Sequence, residues 1–432
     1  MNFTKINDST LNETYYKGVH DSGLTVYVMP KPEFSKSYAA FATHYGSIDS
    51  EFVPIGQTDK ITVPDGIAHF LEHKLFEQPD GTDAFVEYGR TGASANAFTS
   101  SNVTVYLYSS TDKYYENLEI LLNFVSTPHF TKQSIEKEQG IIAQEIKMYD
   151  DDPNWSVYFN MLDALYVNHP IKKDIAGTVE SISDISEEIL YKCYNTFYNP
   201  ANMILFTCGS VDTDEVAKIA DKFIIASADA IASEKGGENI KRFYPDEPKI
   251  INKPYTEQKL SVATPLFNIG FKDTDVGYDG DGLLKKELVS SILLEMLAGE
   301  ASELYNTLYD EGLINDCFGC SCEFEKDYGF SCIAGESAEP KTVRERILDY
   351  FDNVTLDVTH FERCKKVELG KFMRMWNSVE NLSNTMISFI LKNIDVFKYN
   401  EICDSITFDD VQQRFRQHFT RDNCVLSVIT PY

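Results

Sequence analysis

The sequence predicts an α+β protein made of two homologous domains, each with helices packed on one face of a mainly antiparallel sheet. Segments of the first half recur in the same order in the second half, which indicates an internal repeat. The chain has 432 residues, 43% of them hydrophobic and 25% charged, enough for two separate cores. Residues 226–249 have the composition of a linker. We therefore predict an N-terminal domain at residues 1–228, a linker at 229–249 and a C-terminal domain at 250–432.

The first half of the chain shows both strand and helix patterns. Alternating apolar residues predict strands, and apolar residues three and four positions apart predict helices. In chain order we expect adjacent strands at 23–29 and 37–46, a helix at 67–76, strands at 92–100 and 103–108, helices around 118–125 and at 133–148, and a helix end running into a strand at 197–207.

The second half repeats these elements but lacks the histidines and glutamates that the first half has at matching positions. Residues 266–272 echo the strand at 39–46, residues 361–373 echo the helix at 135–148, and residues 419–428 echo residues 197–207. In this alignment Lys371 stands where the first half has Glu145, and Cys364 stands where it has Glu138. The helix at 283–297 contains no histidine. The second domain is therefore expected to keep the fold and to lack a metal site.

A pentapeptide in the first half carries the main functional signal. Residues 69–73 read His-Phe-Leu-Glu-His, and on a helix His69 and His73 lie one turn apart on the same face. Two imidazoles at this spacing can bind one Zn²⁺ and leave room for a third protein ligand and a water. Glu72 is placed to accept a proton from that water during attack on a carbonyl. The alternative is a pair of structural histidines beneath a polar surface.

The helix that carries this motif has its own sequence signals. Asp65 is the expected N-cap. Four apolar side chains are expected to pack inward and to place the histidine pair at the edge of a buried face: Ile67, Phe70, Leu71 and Leu75.

A third metal ligand is expected from the helix at 133–148. Glu138 and Glu145 are seven residues apart, two helical turns, and so share a face. One of them could bind zinc while the other orients a ligand through a hydrogen bond. The alternative is a solvated charged face. The apolar stripe of this helix is expected to comprise Ile135, Ile141, Ile142 and Ile146.

These motifs together resemble the pitrilysin (insulinase) family of zinc metallopeptidases. The resemblance rests on the His-x-x-Glu-His pentapeptide, on Glu138 and Glu145 at this separation from it, and on the stretch Gly-Ala-Ser-Ala-Asn-Ala-Phe-Thr-Ser at 92–100. It covers essentially the whole chain and is closest to the two-domain subunits typified by mitochondrial processing peptidase and the bacterial YmfH-like group.

The resemblance implies a role for each matching residue. His69, His73 and Glu145 would be the zinc ligands, and Glu72 the general base. Glu138 would hydrogen-bond to a ligand. In addition, Asn96 and Ala97 would bind the backbone of an extended peptide along a sheet edge.

One part of the family pattern is missing. The family often supplies an Arg and a Tyr near the zinc from a C-terminal-type domain. The matching stretch here, residues 308–316, has Tyr309 at the Arg position and no Tyr after Gly312-Leu313. We therefore expect a homologous partner subunit that supplies the Arg/Tyr pair, in a heterodimer with a chamber between the subunits; a homodimer is the alternative.

The cysteines and the net charge bear on three questions: whether there is a second metal site, in which compartment the protein works, and which classes of partner it binds. The stretch from Cys317 through Cys320 to Cys322 is expected to be a strand with small apolar fillers rather than a second metal site. The odd number of cysteines and the polar start of the chain indicate a cytoplasmic protein with reduced thiols. The net charge of −28 argues against nucleic acid or anionic membrane as a partner.

Two alternatives to a general zinc endopeptidase stay open. The first is a dedicated protease that removes leader segments from small peptides. The second is a non-catalytic scaffold subunit, although a scaffold has no need of His69, Glu72, His73 and Glu145.

Overall fold

A computed structural model describes residues 1–224 and 240–432. Of the predicted linker, residues 229–239 lie outside the described residues. The chain forms two compact units that are discontinuous in sequence. The first comprises Met1–Ile146, Asp174–Tyr244 and Trp376–Ile387, and the second comprises Lys147–Lys173, Pro245–Met375 and Ser388–Tyr432. The boundaries at residues 228 and 250, which follow the internal sequence repeat, stay a prediction. Each compact unit also includes a segment from the other half of the chain.

The elements of residues 1–224 include every strand and helix expected there. The strands are β1 (Phe3–Asp8), β2 (Glu13–Val19), β3 (Thr25–Pro30), β4 (Ser37–Thr43), β5 (Glu51–Phe52), β6 (Ile61–Thr62), β7 (Ser94–Thr99), β8 (Thr104–Ser110) and β9 (Met203–Gly209). The helices are α1 (Ile67–Phe76), α2 (Ala84–Thr91), α3 (Tyr114–Ser126), α4 (Lys132–Asp150), α5 (Pro153–Leu165), α6 (Val179–Ser183), α7 (Glu187–Phe197) and α8 (Thr213–Phe223).

The first unit is built on a seven-stranded sheet with the order β1-β2-β3-β9-β4-β8-β7. The pair β3–β9 is parallel and the other neighbours are antiparallel. The predicted adjacency of the strands at 23–29 and 37–46 is wrong, because β9 lies between β3 and β4 and hydrogen-bonds to both. All seven residues of β9 are buried, so it takes the central position of a strand covered on both faces.

Both faces of this sheet are covered. Successive residues of a strand point to opposite faces, so Phe41 and Tyr38 of β4 face different layers. Phe41 and Val125 of α3 line the same small cavity, on the side that carries the main helical layer. On the other face, the Tyr38 hydroxyl donates to Oδ1 of Asn384 at 3.1 Å, within the segment Trp376–Ile387.

The elements of residues 240–432 belong to the second unit, except for residues 379–387, which lie in the covering segment; α5 also belongs to the second unit. The strands are β10 (Tyr255–Lys259), β11 (Leu266–Lys272), β12 (Gly319–Phe324), β13 (Gly329–Glu336) and β14 (Cys424–Thr430). The helices are α9 (Gly280–Ala298), α10 (Glu303–Asp310), α11 (Pro340–Asn353), α12 (Val358–Met375), α13 (Val379–Leu391), α14 (Tyr399–Ser405) and α15 (Phe408–His418).

The second unit repeats the pairing of the first. Its sheet has the order β10-β14-β11-β13-β12, with one parallel pair followed by three antiparallel pairs. The strands β3-β9-β4-β8-β7 show the same sequence of pairings. Helix α5 packs closely on β11, where a Cβ on Gly270 would lie 2.8 Å from the Met161 side chain. The predicted α+β class with two homologous sheets is confirmed.

Candidate metal centre and adjoining cleft

Helix α1 is anchored by apolar side chains and begins at a glycine. Ile67, Phe70, Leu71 and Leu75 are buried as expected. The predicted N-cap Asp65 is wrong by one residue: the N-cap is Gly66, with a φ of 88°. A side chain is excluded at Gly66, because a Cβ there would lie 2.3 Å from the carbonyl oxygen of Ala176. The start of α1 is therefore fixed by close backbone packing rather than by a side-chain cap.

Helix α1 presents both histidines toward Glu145 of α4. The Nε2 atom of His69 lies 3.7 Å from Oε1 of Glu145, and the Nε2 atom of His73 lies 3.4 Å from Oε2. One nitrogen or oxygen from each of the three side chains lies within 4.8 Å of the others. In residues 1–224 and 240–432 this is the one group of three or more His, Cys, Asp and Glu side chains so arranged.

Helix α4 also positions Glu138 against His73. The Nδ1 atom of His73 lies 3.0 Å from Oε1 of Glu138. When Nδ1 donates its hydrogen to this carboxylate, the lone pair of the neutral ring is on Nε2, the atom that faces Glu145. The inner face of α4 holds Ile135, Ile142 and Ile146, whereas the predicted fourth member, Ile141, is exposed and lines the adjoining cleft. The reason is geometric, since Ile141 lies only one residue from Ile142 and projects about 100° away from it.

Burial and neighbouring charges shift the pKa values of these side chains. Burial lowers the pKa of His69 to about 4, helped by the neighbouring His73, so that His69 is neutral at physiological pH. Burial raises the pKa of Glu72, and the hydrogen bond from Thr99 opposes that rise.

For Glu138 burial also acts to raise the pKa, but the hydrogen bond with His73 and the positive charges of His73, Lys74 and Lys137 together outweigh burial, and the net shift is downward. Burial acts to lower the pKa of His73, but the hydrogen bond with Glu138 and the charges of nearby glutamates together raise it. Two imidazole nitrogens and one carboxylate oxygen within 4.8 Å of one another are a donor set that Zn²⁺ binds. The residues therefore fit the metal.

Glu72 lies on α1 beside this group. Its side chain is buried, with 8% exposed, and its Oε2 atom accepts a hydrogen bond of 2.6 Å from the Thr99 hydroxyl. Glu72 and His73 both line a cleft of about 390 Å³. The cleft therefore gives a substrate-sized molecule access to the carboxylate.

Strand β7 forms one wall of this cleft and is an edge strand of its sheet. Asn96 and Ala97, the two residues expected to bind a peptide backbone, both line the cleft. The backbone N–H of Ala97 donates to Oδ1 of Asn96 at 2.9 Å. The Ser100 N–H donates to its hairpin partner Val103, and N–H groups alternate between the two sides of a strand, so the Ala97 N–H points away from β8 to the open edge. The Asn96 side chain thus occupies a backbone donor that a peptide strand could use.

Two neighbours of the site were not predicted from the sequence. Thr99 contacts Glu72, and the Phe85 ring stacks on Phe76 in the cleft wall with centroids 4.4 Å apart. Strand periodicity could have indicated Thr99, because it points to the same face as Ala97. No comparable signal existed for Phe85, which lies on α2.

The second unit has a different arrangement at the matching positions. Lys371 of α12, the counterpart of Glu145, lies 3.3 Å from Oε2 of Glu295 of α9 and 3.6 Å from Oε2 of Glu368. The Ser291 hydroxyl donates to the same Glu368 carboxylate at 2.8 Å. An ammonium group thus lies between carboxylates where the first unit has its histidines and Glu145.

The cysteine stretch and the missing Arg/Tyr pattern also lie in the second unit. Cys320 and Cys322 are free thiols on the predicted strand, now β12, and burial raises the pKa of Cys320 to about 11. Tyr309, at the position of the expected Arg, lies exposed near the end of α10. Within the described residues, no helix is long and apolar enough to cross a membrane.

Comparison with known proteins agrees with this geometry. The profile described as "Insulinase (Peptidase family M16)" matches residues 53–179. A Bacillus subtilis protein named "Uncharacterized zinc protease YmfH" is 40% identical over 98% of this chain and 97% of its own length. The chain belongs to the M16 (insulinase, or pitrilysin) peptidase family. The family resemblance that the sequence predicts is confirmed.

Other members of the M16 family extend the comparison. The profile "Peptidase M16 inactive domain" matches residues 184–367, which include α9 and Cys364 and end before Lys371. The crystal structure of an M16-like peptidase from Alicyclobacillus acidocaldarius superposes with a TM-score of 0.89 at 33% identity, covering 100% of this chain and 99% of that one. A Schizosaccharomyces pombe protein named "Probable mitochondrial-processing peptidase subunit beta" is 27% identical over 47% of this chain and 43% of its own length. The homologues named zinc proteases imply zinc as the metal of the family site.

Proposed function

We propose that this protein is a zinc-dependent endopeptidase that hydrolyses peptides bound in extended form. The observation that carries the proposal is the convergence of His69, His73 and Glu145 within 4.8 Å beside the buried carboxylate of Glu72. These three residues would hold the metal. When bound, Zn²⁺ supplies a Lewis acid that polarises a carbonyl and lowers the pKa of water.

Glu72 carries out the proton transfers, and Glu138 orients His73. Glu72 accepts a proton from the water whose oxygen forms a bond to the scissile carbonyl carbon. It then gives that proton to the amide nitrogen as the carbon–nitrogen bond breaks, so the products are a carboxylic acid, which keeps the second hydrogen of the water, and an amine. Glu138 keeps the hydrogen of His73 on Nδ1 through the 3.0 Å contact and thereby holds the ring in one orientation.

Strand β7 would position the peptide. An extended chain adding to the open edge would accept from the N–H of Ala97 and displace the Asn96 carboxamide from it. The freed Asn96 carboxamide could then hydrogen-bond the peptide backbone. Recognition through main-chain groups favours extended peptides with few requirements on their side chains.

A partner subunit forms part of the proposal. The exposed Tyr309 at the expected Arg position supports a homologous partner that brings the missing Arg/Tyr pair and closes a chamber around the peptide. The experiment measures cleavage of internally quenched peptides, mapped by mass spectrometry, by the zinc-loaded chain alone and mixed with homologous chains encoded beside it. We expect cleavage to rise strongly with one such chain. Full activity of the chain alone would contradict the heterodimer, and no cleavage in any mixture would contradict the peptidase.

The same assay separates the two alternatives. Cleavage confined to the leader of a precursor encoded nearby, with no action on unrelated peptides, would identify a maturation protease. A chain that binds no zinc and joins a partner without cleaving would be a scaffold. The cytoplasm stays the proposed location, because it suits the nine free thiols.

A further inference from the structure

The carboxylate of Glu72 is oriented by a hydroxyl group on the neighbouring strand. Thr99 is the last residue of β7, and its Oγ1 atom donates to Oε2 of Glu72 at 2.6 Å. In the described part of the chain, Thr99 is the one side chain that hydrogen-bonds this carboxylate. We propose that Thr99 is a positioning residue for the catalytic base, an inference that rests on the proposed peptidase function.

The Thr99 hydroxyl has two acceptors within reach, and the Glu72 carboxylate is the nearer one. Thr99 pairs with Thr104 in the β7–β8 register, and their hydroxyl oxygens lie 3.3 Å apart. The Thr104 hydroxyl donates to the backbone carbonyl of Tyr45 at 2.9 Å. Since the Thr104 hydrogen points to Tyr45, Thr104 could only accept from Thr99, at the longer distance of 3.3 Å. The shorter contact therefore directs the Thr99 hydrogen to Glu72.

The Thr99 side chain has less conformational freedom than the Glu72 side chain that it orients. A threonine has restricted χ1 freedom, and Thr99 lies at the end of a paired strand, next to the fully buried Thr104. Glu72 has three side-chain torsions, and a base must be held within a few tenths of an ångström of its productive position. The hydrogen bond fixes Oε2, which leaves Oε1 to meet the water and the peptide in the cleft.

The cleft geometry makes this role specific to Thr99. Ala97 and Thr99 point to the same face of β7, toward α1, and only Thr99 carries a hydrogen-bond donor. Asn96 points to the opposite face and bonds the strand's own backbone. Substrate contact and orientation of the base thus come from different residues of one strand.

The test compares three variants in the zinc-loaded protein with its activating partner, or alone if the chain is active alone. In Thr99→Val the shape is kept and the hydroxyl is lost; in Thr99→Ser the hydroxyl is kept. Thr43→Val is the control for loss of a threonine hydroxyl elsewhere in the sheet, since the fully buried Thr43 hydroxyl in β4 donates to the carbonyl of Phe197. If Thr99→Val does not fold, Thr99→Ala replaces it.

We expect Thr99→Val to lose about 10- to 100-fold in kcat, the range for a hydrogen bond to a charged group, with KM and zinc content unchanged. Thr99→Ser should stay within about threefold of the wild-type kcat, because its hydroxyl can still donate, and Thr43→Val should match the wild type. Equal kcat in Thr99→Val and the wild type would overturn the proposal. Equal losses in Thr99→Val and Thr99→Ser, or in Thr99→Val and Thr43→Val, would overturn it as well.

A structural measurement tests the same inference without activity. In crystals of the metal-free wild type we expect the Thr99–Glu72 contact, and in Thr99→Val a Glu72 carboxylate that has rotated or occupies several positions. An unchanged carboxylate in Thr99→Val would overturn the inference while leaving the proposed function intact. A wild type that neither binds zinc nor cleaves peptides would instead contradict the proposed function. The crystals would still show whether Thr99 orients Glu72, so the two failures can be told apart.

Discussion

His73 Nδ1 lies 3.0 Å from the Glu138 carboxylate, so the two residues form a hydrogen-bonded pair that orients the imidazole ring. The Nε2 atom of the same ring is 3.4 Å from Glu145. One carboxylate of α4 thus orients the imidazole and another faces its free lone pair. Because both carboxylates come from a single helix, two turns apart, the relationship between orienting group and ligand is set by helix geometry.

This pairing predicts the effect of Glu138→Gln on zinc binding. The carboxamide can still accept a hydrogen bond but loses the charge that favours the Nδ1–H form of His73, so zinc affinity should fall about 10- to 100-fold. The measurement is a competition titration against a chromophoric chelator. Glu136→Gln, on the exposed side of the same helix, is the control and should bind zinc as the wild type does. Unchanged affinity in Glu138→Gln would contradict the role of Glu138.

The role of Glu72 predicts a variant that binds metal without turnover. Glu72→Gln keeps the size of the side chain and its bond to Thr99 but cannot accept a proton at neutral pH. We expect full zinc content and a loss of about 10²- to 10⁴-fold in kcat. Glu87→Gln, an exposed position on α2, serves as the control for loss of one negative charge. Near-wild-type turnover in Glu72→Gln would mean that another group is the base.

Two glycines predict opposite changes in stability. Gly66→Ala places a Cβ against the backbone of Ala176 and puts an alanine at a positive φ. The change should lower the free energy of unfolding of the first unit by about 1–3 kcal/mol. Gly140→Ala lies inside α4, where a Cβ meets nothing within 4 Å, and should stabilise it by about 0.5–1 kcal/mol. Differential scanning calorimetry of both variants provides the comparison. A Gly66→Ala protein that melts with the wild type would show that the start of α1 is not constrained as described.

A buried carboxylate in the second unit predicts a pH dependence of stability. Burial raises the pKa of Glu325 to about 7, although Lys392 lies 3.2 Å away. Between its ordinary value of 4.5 and about 7, the folded state binds more protons at this site than the unfolded state does. The contribution of Glu325 to stability is therefore fully present below pH 4.5 and is lost as the pH rises through 7.

The matching experiment is urea unfolding at pH values from 5 to 8. In Glu325→Gln the decline of the unfolding midpoint over this range should be smaller than in the wild type. Glu362→Gln, at an exposed position on α12, should keep the wild-type profile. Parallel profiles for Glu325→Gln and the wild type would refute the assignment.

Much of the fold and of the metal group could be predicted from local pattern. The spacing of His69 and His73, and of Glu138 and Glu145, reports which residues share a helix face, and helix geometry then brings them together. The position of β9 between β3 and β4 could not be predicted from local pattern, because strand order depends on contacts distant in sequence. The same holds for Gly66: its need for a positive φ arises from Ala176, more than a hundred residues away. Ile141 is predicted on the apolar stripe of α4, yet its direction on the helix leaves it in the cleft.

The central claim is that the first unit holds one zinc ion through His69, His73 and Glu145 and that the second unit holds none. Its most direct test is the zinc content of the purified chain by atomic emission, with His73→Ala measured beside it. We predict about one zinc per wild-type chain and a value near zero for His73→Ala, since removing one of three ligands opens the site. No zinc in the wild type after loading, two per chain, or equal zinc in both proteins would contradict the account.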